Sequence, residues 1–198
     1  MPEKAFADCK NLKEVKLFNR VKEISAGAFL NCGNLETVSG CENVYSVAES
    51  AFKGCKKLKA LDIQDLQRVG ARAFYNCSAL DFNDSWVFAS TTTVGDEAFK
   101  YCESLTWVQF SWSLEYLGES AFEGCASLRY ANVDGVLEEI KDHTFSGCMQ
   151  LRTLYLGSYI KSIGEKAFYN CIRLEYAQFA DSLETIGASA FRNAETLQ

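Results

Sequence analysis

Phenylalanine recurs along the 198-residue chain at Phe6, Phe29, Phe52, Phe74, Phe99, Phe122, Phe145, Phe168 and Phe191, in steps of 23, 23, 22, 25, 23, 23, 23 and 23 residues. A unit of that length holds one strand and a return but not a pair of helices, and one copy cannot bury its own apolar side chains. The chain therefore reads as stacked coils in which residues one period apart lie side by side. Function is expected on the surfaces of such a stack rather than in an enclosed pocket.

Other columns keep the same register. The residue before each phenylalanine is alanine except at Thr144, so a small side chain is required there. Three residues after it stand Cys9, Cys32, Cys55, Cys77, Cys102, Cys125, Cys148 and Cys171, replaced in the ninth copy by Ala194. Six after it runs an unbroken leucine column from Leu12 to Leu197, and five before it an aliphatic column from Ile24 to Ile186. These columns predict the core.

Between them lie short runs of alternating type, such as Leu12-x-x-Val15-x-Leu17 and Leu151-x-x-Leu154-x-Leu156. Period two predicts a strand in each coil, pairing with its neighbours as a parallel sheet. The segment Ala28–Cys32 and its equivalents space apolar residues as a helix does but are too short for one, which predicts a single helical or 3₁₀ turn per coil. Glycine recurs just before it, at Gly70, Gly95, Gly118, Gly164 and Gly187, and reads as a tight turn. The fold class expected is an α/β repeat solenoid of about 23 residues per repeat.

The pattern C-x-x-L-x-x-V-x-L, then x-x-x-L-x-x-I-G-x-x-A-F, is carried by Cys148, Leu151, Leu154, Leu156, Ile160, Ile163, Gly164, Ala167 and Phe168. It resembles the BspA-like class of leucine-rich repeats over the whole chain. The proline that this class often places after the strand is replaced by residues such as Phe18, Gln64 and Gly157. The resemblance implies a right-handed leucine-rich-repeat coil with a concave parallel sheet and irregular return segments. It also implies a role in adhesion or protein recognition, no enzymatic activity, and a place at the cell surface or in secretion.

No Pro/Gly/Ser-rich joint interrupts the repeat, so residues 1–198 read as one domain of about eight repeats. Met1 enters four residues before the first Ala-Phe pair, and the chain stops after the leucine of a ninth strand. Neither end carries a polar cap. The expectation is a piece of a longer solenoid, or a protein whose open ends are covered by another chain or associate end to end. Met1-Pro2-Glu3-Lys4-Ala5-Phe6 already belongs to the repeat rather than to a signal peptide, which keeps a cytoplasmic location open beside the surface one, and no stretch is apolar enough to insert in a membrane.

The formal charge is −6: residues 1–99 hold 12 Lys/Arg against 13 Asp/Glu, and residues 100–198 hold 8 against 13. Nucleic acid needs a basic face, and the one basic cluster, Lys53, Lys56, Lys57 and Lys59, reads as a solvated turn of a single coil. Equivalent cysteines one coil apart point the same way at about 4.8 Å or more, beyond disulfide reach. They are expected to be buried free thiols. Cys41 stands off that column at an outward position and is expected to react first. No two cysteines are spaced as zinc ligands, and no cofactor is implied. His143 has polar or glycine equivalents in every other coil, which predicts an exposed turn rather than a general base. Glu138 and Glu139 adjoin on a turn and do not read as a glycosidase pair.

Outward positions flank the inward residues of each strand. The first coils present Glu14, Lys16 and Phe18, then Thr37, Ser39 and Cys41, then Ala60, Asp62 and Gln64. Later coils present Trp107 and Gln109; Tyr130, Asn132 and Asp134; Thr153, Tyr155 and Gly157; Tyr176 and Gln178. Aromatic side chains bury much area at interfaces and keep a polar tip. We therefore expect Trp107, Gln109, Tyr130, Asn132, Asp134, Tyr155, Tyr176 and Gln178 to form the site for a protein or glycan partner. In the competing reading the aromatic residues merely stabilise the sheet, with Trp107 covered by Trp112, and the chain is an architectural spacer of a larger surface protein. A hydrolase is the remote rival. The fourth coil is irregular: Asn83 and Ser85 stand where apolar residues belong, and Trp86 and Phe88 fit neither an inward nor an outward column.

Overall fold

The computed structural model describes residues 1–82 and 87–197, which include fifteen short strands. Coils are numbered here from their phenylalanines, coil one running from Phe6 and coil five from Phe99. In the first half the strands are β1 (Glu14–Lys16), β2 (Glu23–Ile24), β3 (Thr37–Ser39), β4 (Ser46–Val47), β5 (Ala60–Leu61), β6 (Arg68–Val69) and β7 (Thr93–Val94). The second half adds β8 (Trp107–Gln109), β9 (Tyr116–Leu117), β10 (Tyr130–Val133), β11 (Glu139–Ile140), β12 (Thr153–Leu156), β13 (Ser162–Ile163), β14 (Tyr176–Gln178) and β15 (Thr185–Ile186).

All pairings are parallel and join successive coils. One face carries β1-β3-β5 and β8-β10-β12-β14; another carries β2-β4-β6-β7-β9 and β11-β13-β15. The chain is a parallel β-solenoid of the expected period.

The core is a set of ladders. From Phe6 to Phe191 each phenylalanine stacks on the next with ring centroids 5.0–5.5 Å apart and planes within 3–9°. That distance is close to the strand spacing and suits offset stacking. Phe29 through Phe168 are fully buried. The column that is otherwise alanine accepts Thr144 because its hydroxyl donates to the Lys141 carbonyl at 2.7 Å. Phe88 is buried too, edge-on to Phe82 and Phe99, whereas Asn83, Ser85 and Trp86 lie outside the described residues.

Each ladder thiol points at the coil before it. Cys32 donates to the Phe6 carbonyl, Cys55 to that of Phe29 and so on to Cys171 and Phe145, at 2.9–3.3 Å. The cysteine column thus fills a small buried site and adds a second donor to a carbonyl that already accepts a backbone N–H within its own turn, as Phe29 O does from Cys32 N–H at 3.1 Å.

Three expectations change. The phenylalanine segment holds no helix among the described residues. It is a run of i to i+3 turns, such as Ala28 N–H to Ser25 O at 3.1 Å and Cys32 N–H to Phe29 O at 3.1 Å. Two columns in it have left-handed backbone: the residues two before the phenylalanine, Lys4 to Ser189, at φ 52–60°, and those two after it, Asp8 to Asn193, at φ 58–79°. A right-handed helix cannot contain them. Second, the recurrent glycines are not left-handed. A Cβ at Gly118 would stand 2.4 Å from the Asp96 backbone nitrogen, and one at Gly95 2.4 Å from that of Ala71, so glycine there permits close approach between coils. Third, Cys41 is buried, not outward. Gly40, at φ 79°, reverses the backbone just past β3, and both backbone amides of the turn donate to the Asp62 carboxylate at 2.9 and 2.7 Å. The exposed thiol is Cys9.

The second face is interrupted between β9 and β11. Elsewhere each coil donates two or three backbone bonds to the one before it, as Glu115 and Tyr116 do to Thr92 O and Gly118 does to Val94 O. The equivalent donors in coil six, Glu138, Glu139 and Lys141, have no such acceptor among the described residues. Lys141 occupies the glycine column. Ala48, in the same column, keeps its bond to Ile24 O at 2.9 Å. The longer Lys141 side chain instead crosses the gap, with Nζ 3.0 Å from the Tyr116 hydroxyl and 4.1 Å from its ring centre.

Candidate functional site

The four-stranded half of the first face sets the geometry. Its register places Trp107, Tyr130, Thr153 and Tyr176 in one column and Gln109, Asn132, Tyr155 and Gln178 in the next. Alternation sends Val108, Ala131 and Leu154 inward to full burial, so both columns face out.

The aromatic side chains make a continuous zigzag across four coils. Trp107 lies flat on Tyr130, with ring centres 3.8 Å apart and planes at 10°. Because coil seven has Thr153 in the first column, the path steps sideways to Tyr155, 5.8 Å from Tyr130 and tilted by 49°. It returns to Tyr176 at 5.6 Å and 54°. Trp107 and Tyr176 remain 39% and 48% exposed, which leaves ring surface for a partner. Burial, and then the nearby Tyr155, raise the pKa of the Tyr130 hydroxyl and keep it a neutral donor. Trp107 is covered by Tyr130; Trp112 makes no ring contact with it among the described residues and is 78% exposed on the following turn.

A depression of about 370 Å³ opens at the end of this band, lined by Tyr130, Asn132, Asp134, Tyr155, Leu156, Gly157, Ser158 and Gln178. Five of the eight residues expected from sequence meet there; Trp107, Gln109 and Tyr176 lie along the band outside it. Gly157 lines it without a side chain; a Cβ there would stand 3.2 Å from Val133 O and 3.3 Å from Asp134 Oδ1. Asp134 Oδ1 accepts the Gly135 N–H at 2.9 Å. The side-chain amides of Asn132 and Gln178 make no hydrogen bond among the described residues.

Sequence reasoning did not single out the exposed apolar residues on the turns after β8, β10 and β12. Trp112, Val136 and Tyr159, in coils five, six and seven, are 78%, 52% and 59% exposed. The signal lay in large apolar residues at positions that are polar in the early coils. The other sequence candidates are dispersed. His143 sits half-buried on the left-handed turn, Glu138 pairs with Lys161 at 2.7 Å, Lys53 lies over Tyr75 and Lys59 pairs with Glu36 at 3.5 Å. Among the described residues no cluster of three or more His, Cys, Asp or Glu could hold a metal, and no helix is long and apolar enough to cross a membrane.

A family model described as a BspA type leucine rich repeat region matches in six copies over residues 1–86 and 82–198. No curated protein matches the chain. Among solved structures, a leucine rich cell surface protein from Faecalibacterium prausnitzii is similar over 98% of this chain and 61% of its own, with 23% identity and a TM-score of 0.55. A T. pallidum leucine rich repeat protein is similar over 85% of this chain and 86% of its own, with 23% identity and a TM-score of 0.62. A leucine-rich repeat protein from Eubacterium ventriosum matches over 91% and 42%, with 22% identity and a TM-score of 0.50. The chain thus spans less than two thirds of the first and third of these, and all three share its fold.

Proposed function

The chain belongs to the BspA-type leucine-rich repeat family, and we propose that it acts within it as a non-catalytic recognition or adhesion module. Its macromolecular partner rests on the outward face of coils five to eight. The observation that carries this reading is the unbroken aromatic band from Trp107 through Tyr130 and Tyr155 to Tyr176, partly open to solvent on a four-stranded sheet. Such rings contribute large contact area at small entropic cost. The early coils offer mainly small and charged groups on the same face. One neighbour in fold is described as a cell surface protein, which supports placing this chain at the surface or outside the cell.

The test replaces Trp107, Tyr130 and Tyr176 with alanine together and measures capture of partners from host or matrix extract, with far-UV circular dichroism to verify the fold. Loss of capture in a folded variant is expected. Undiminished capture favours the spacer reading instead.

A further inference from the structure

Resting on the surface assigned above, we propose that the depression beside Asp134 takes a neutral oligosaccharide. A strand-adding peptide needs an open sheet edge, but β10 is paired on both sides by β8 and β12, and β12 by β10 and β14. A proline-rich peptide presents mainly carbonyl acceptors, and the Asp134 carboxylate can only accept. A sugar hydroxyl both donates and accepts, which is what this lining asks for. Asp134 Oδ2 has no partner among the described residues, and the Asn132 and Gln178 amides, each with donors and an acceptor, flank Tyr155 in one column. The tilted faces of Tyr130 and Tyr155 offer apolar platforms for the C–H face of a pyranose ring. Asp134 and the net charge of −6 disfavour sialylated or sulfated chains.

The chain is probed with an array of defined neutral, sialylated and sulfated oligosaccharides, and its best neutral ligand is titrated by calorimetry. Binding is expected among the neutral members. It should weaken roughly tenfold in Asp134→Ala and in Gln178→Ala and stay unchanged in Glu14→Ala on coil one, with melting temperatures preserved in all three. Binding to no neutral oligosaccharide, or binding indifferent to Asp134→Ala and Gln178→Ala, overturns the proposal. Periodate treatment of the extract separates this proposal from the broader reading. If the triple alanine variant loses capture while oxidation of the extract's glycans leaves it intact, the surface stands and the sugar falls. Capture that survives the triple substitution removes both.

Discussion

A thiol at each turn donates to the carbonyl of the phenylalanine one coil back, and burial alters its chemistry. Burial is the leading cause that pushes Cys41, Cys55 and Cys171 up to about 12, with the Asp62 carboxylate adding to the effect at Cys41. Below the ordinary thiol range, folded and unfolded chains hold these protons alike and the full stability is present. Above about pH 9 only the unfolded chain releases them, so stability falls as the pH rises toward 12, by about 1.4 kcal/mol per unit for each such thiol. Urea unfolding at pH 8, 9 and 10 should show this decline; a flat profile would contradict the burial. In the native state an aromatic disulfide reagent should modify Cys9 rapidly and spare Cys41. The columns were legible because every inward residue repeats. Cys41 was not, since alternation holds only within the strand, and Gly40 had already turned the chain beyond the end of β3. The left-handed column through Lys4, Arg72, Glu97 and His143 was hidden for a related reason. Those residue types do not advertise such a backbone, and only Gly27 hinted at it.

In five coils a glycine ahead of the phenylalanine turn, from Gly70 to Gly187, sets how closely two elements approach. Gly118→Ala should cost about 1–3 kcal/mol, because the new methyl meets backbone at 2.4–2.6 Å rather than a side chain that can swing away. Gly33→Ala, whose nearest atom is 3.8 Å distant, should leave the midpoint of denaturation almost unmoved. Equal losses in the two variants would show that backbone freedom, not coil spacing, is what glycine supplies. The sequence announced a special role for this column but could not separate a turn from a close approach, a property of the neighbouring coil. For the candidate surface, period two sufficed to place Trp107, Tyr130 and Tyr176 in one column. That Tyr155 would bridge the gap left by Thr153, and that a depression would open beside Asp134, depended on ring orientation and on space between coils.

At the scale of the whole molecule, the second face lacks a strand pairing between β9 and β11 among the described residues. The phenylalanine stack runs through that level, with Phe122 on Phe145 at 5.3 Å, so the gap does not sever the core. Unfolding should therefore be one transition, with tryptophan fluorescence and far-UV circular dichroism melting together. Two separated midpoints would mean that this gap divides the stack into independent blocks. The cysteine ladder carries a consequence of its own. Because nearly every storey holds one sequestered sulfur, a protein fraying under mild denaturant and quenched with an alkylating agent would gain mass in single increments. The distribution of those masses would count, molecule by molecule, how many storeys had come loose.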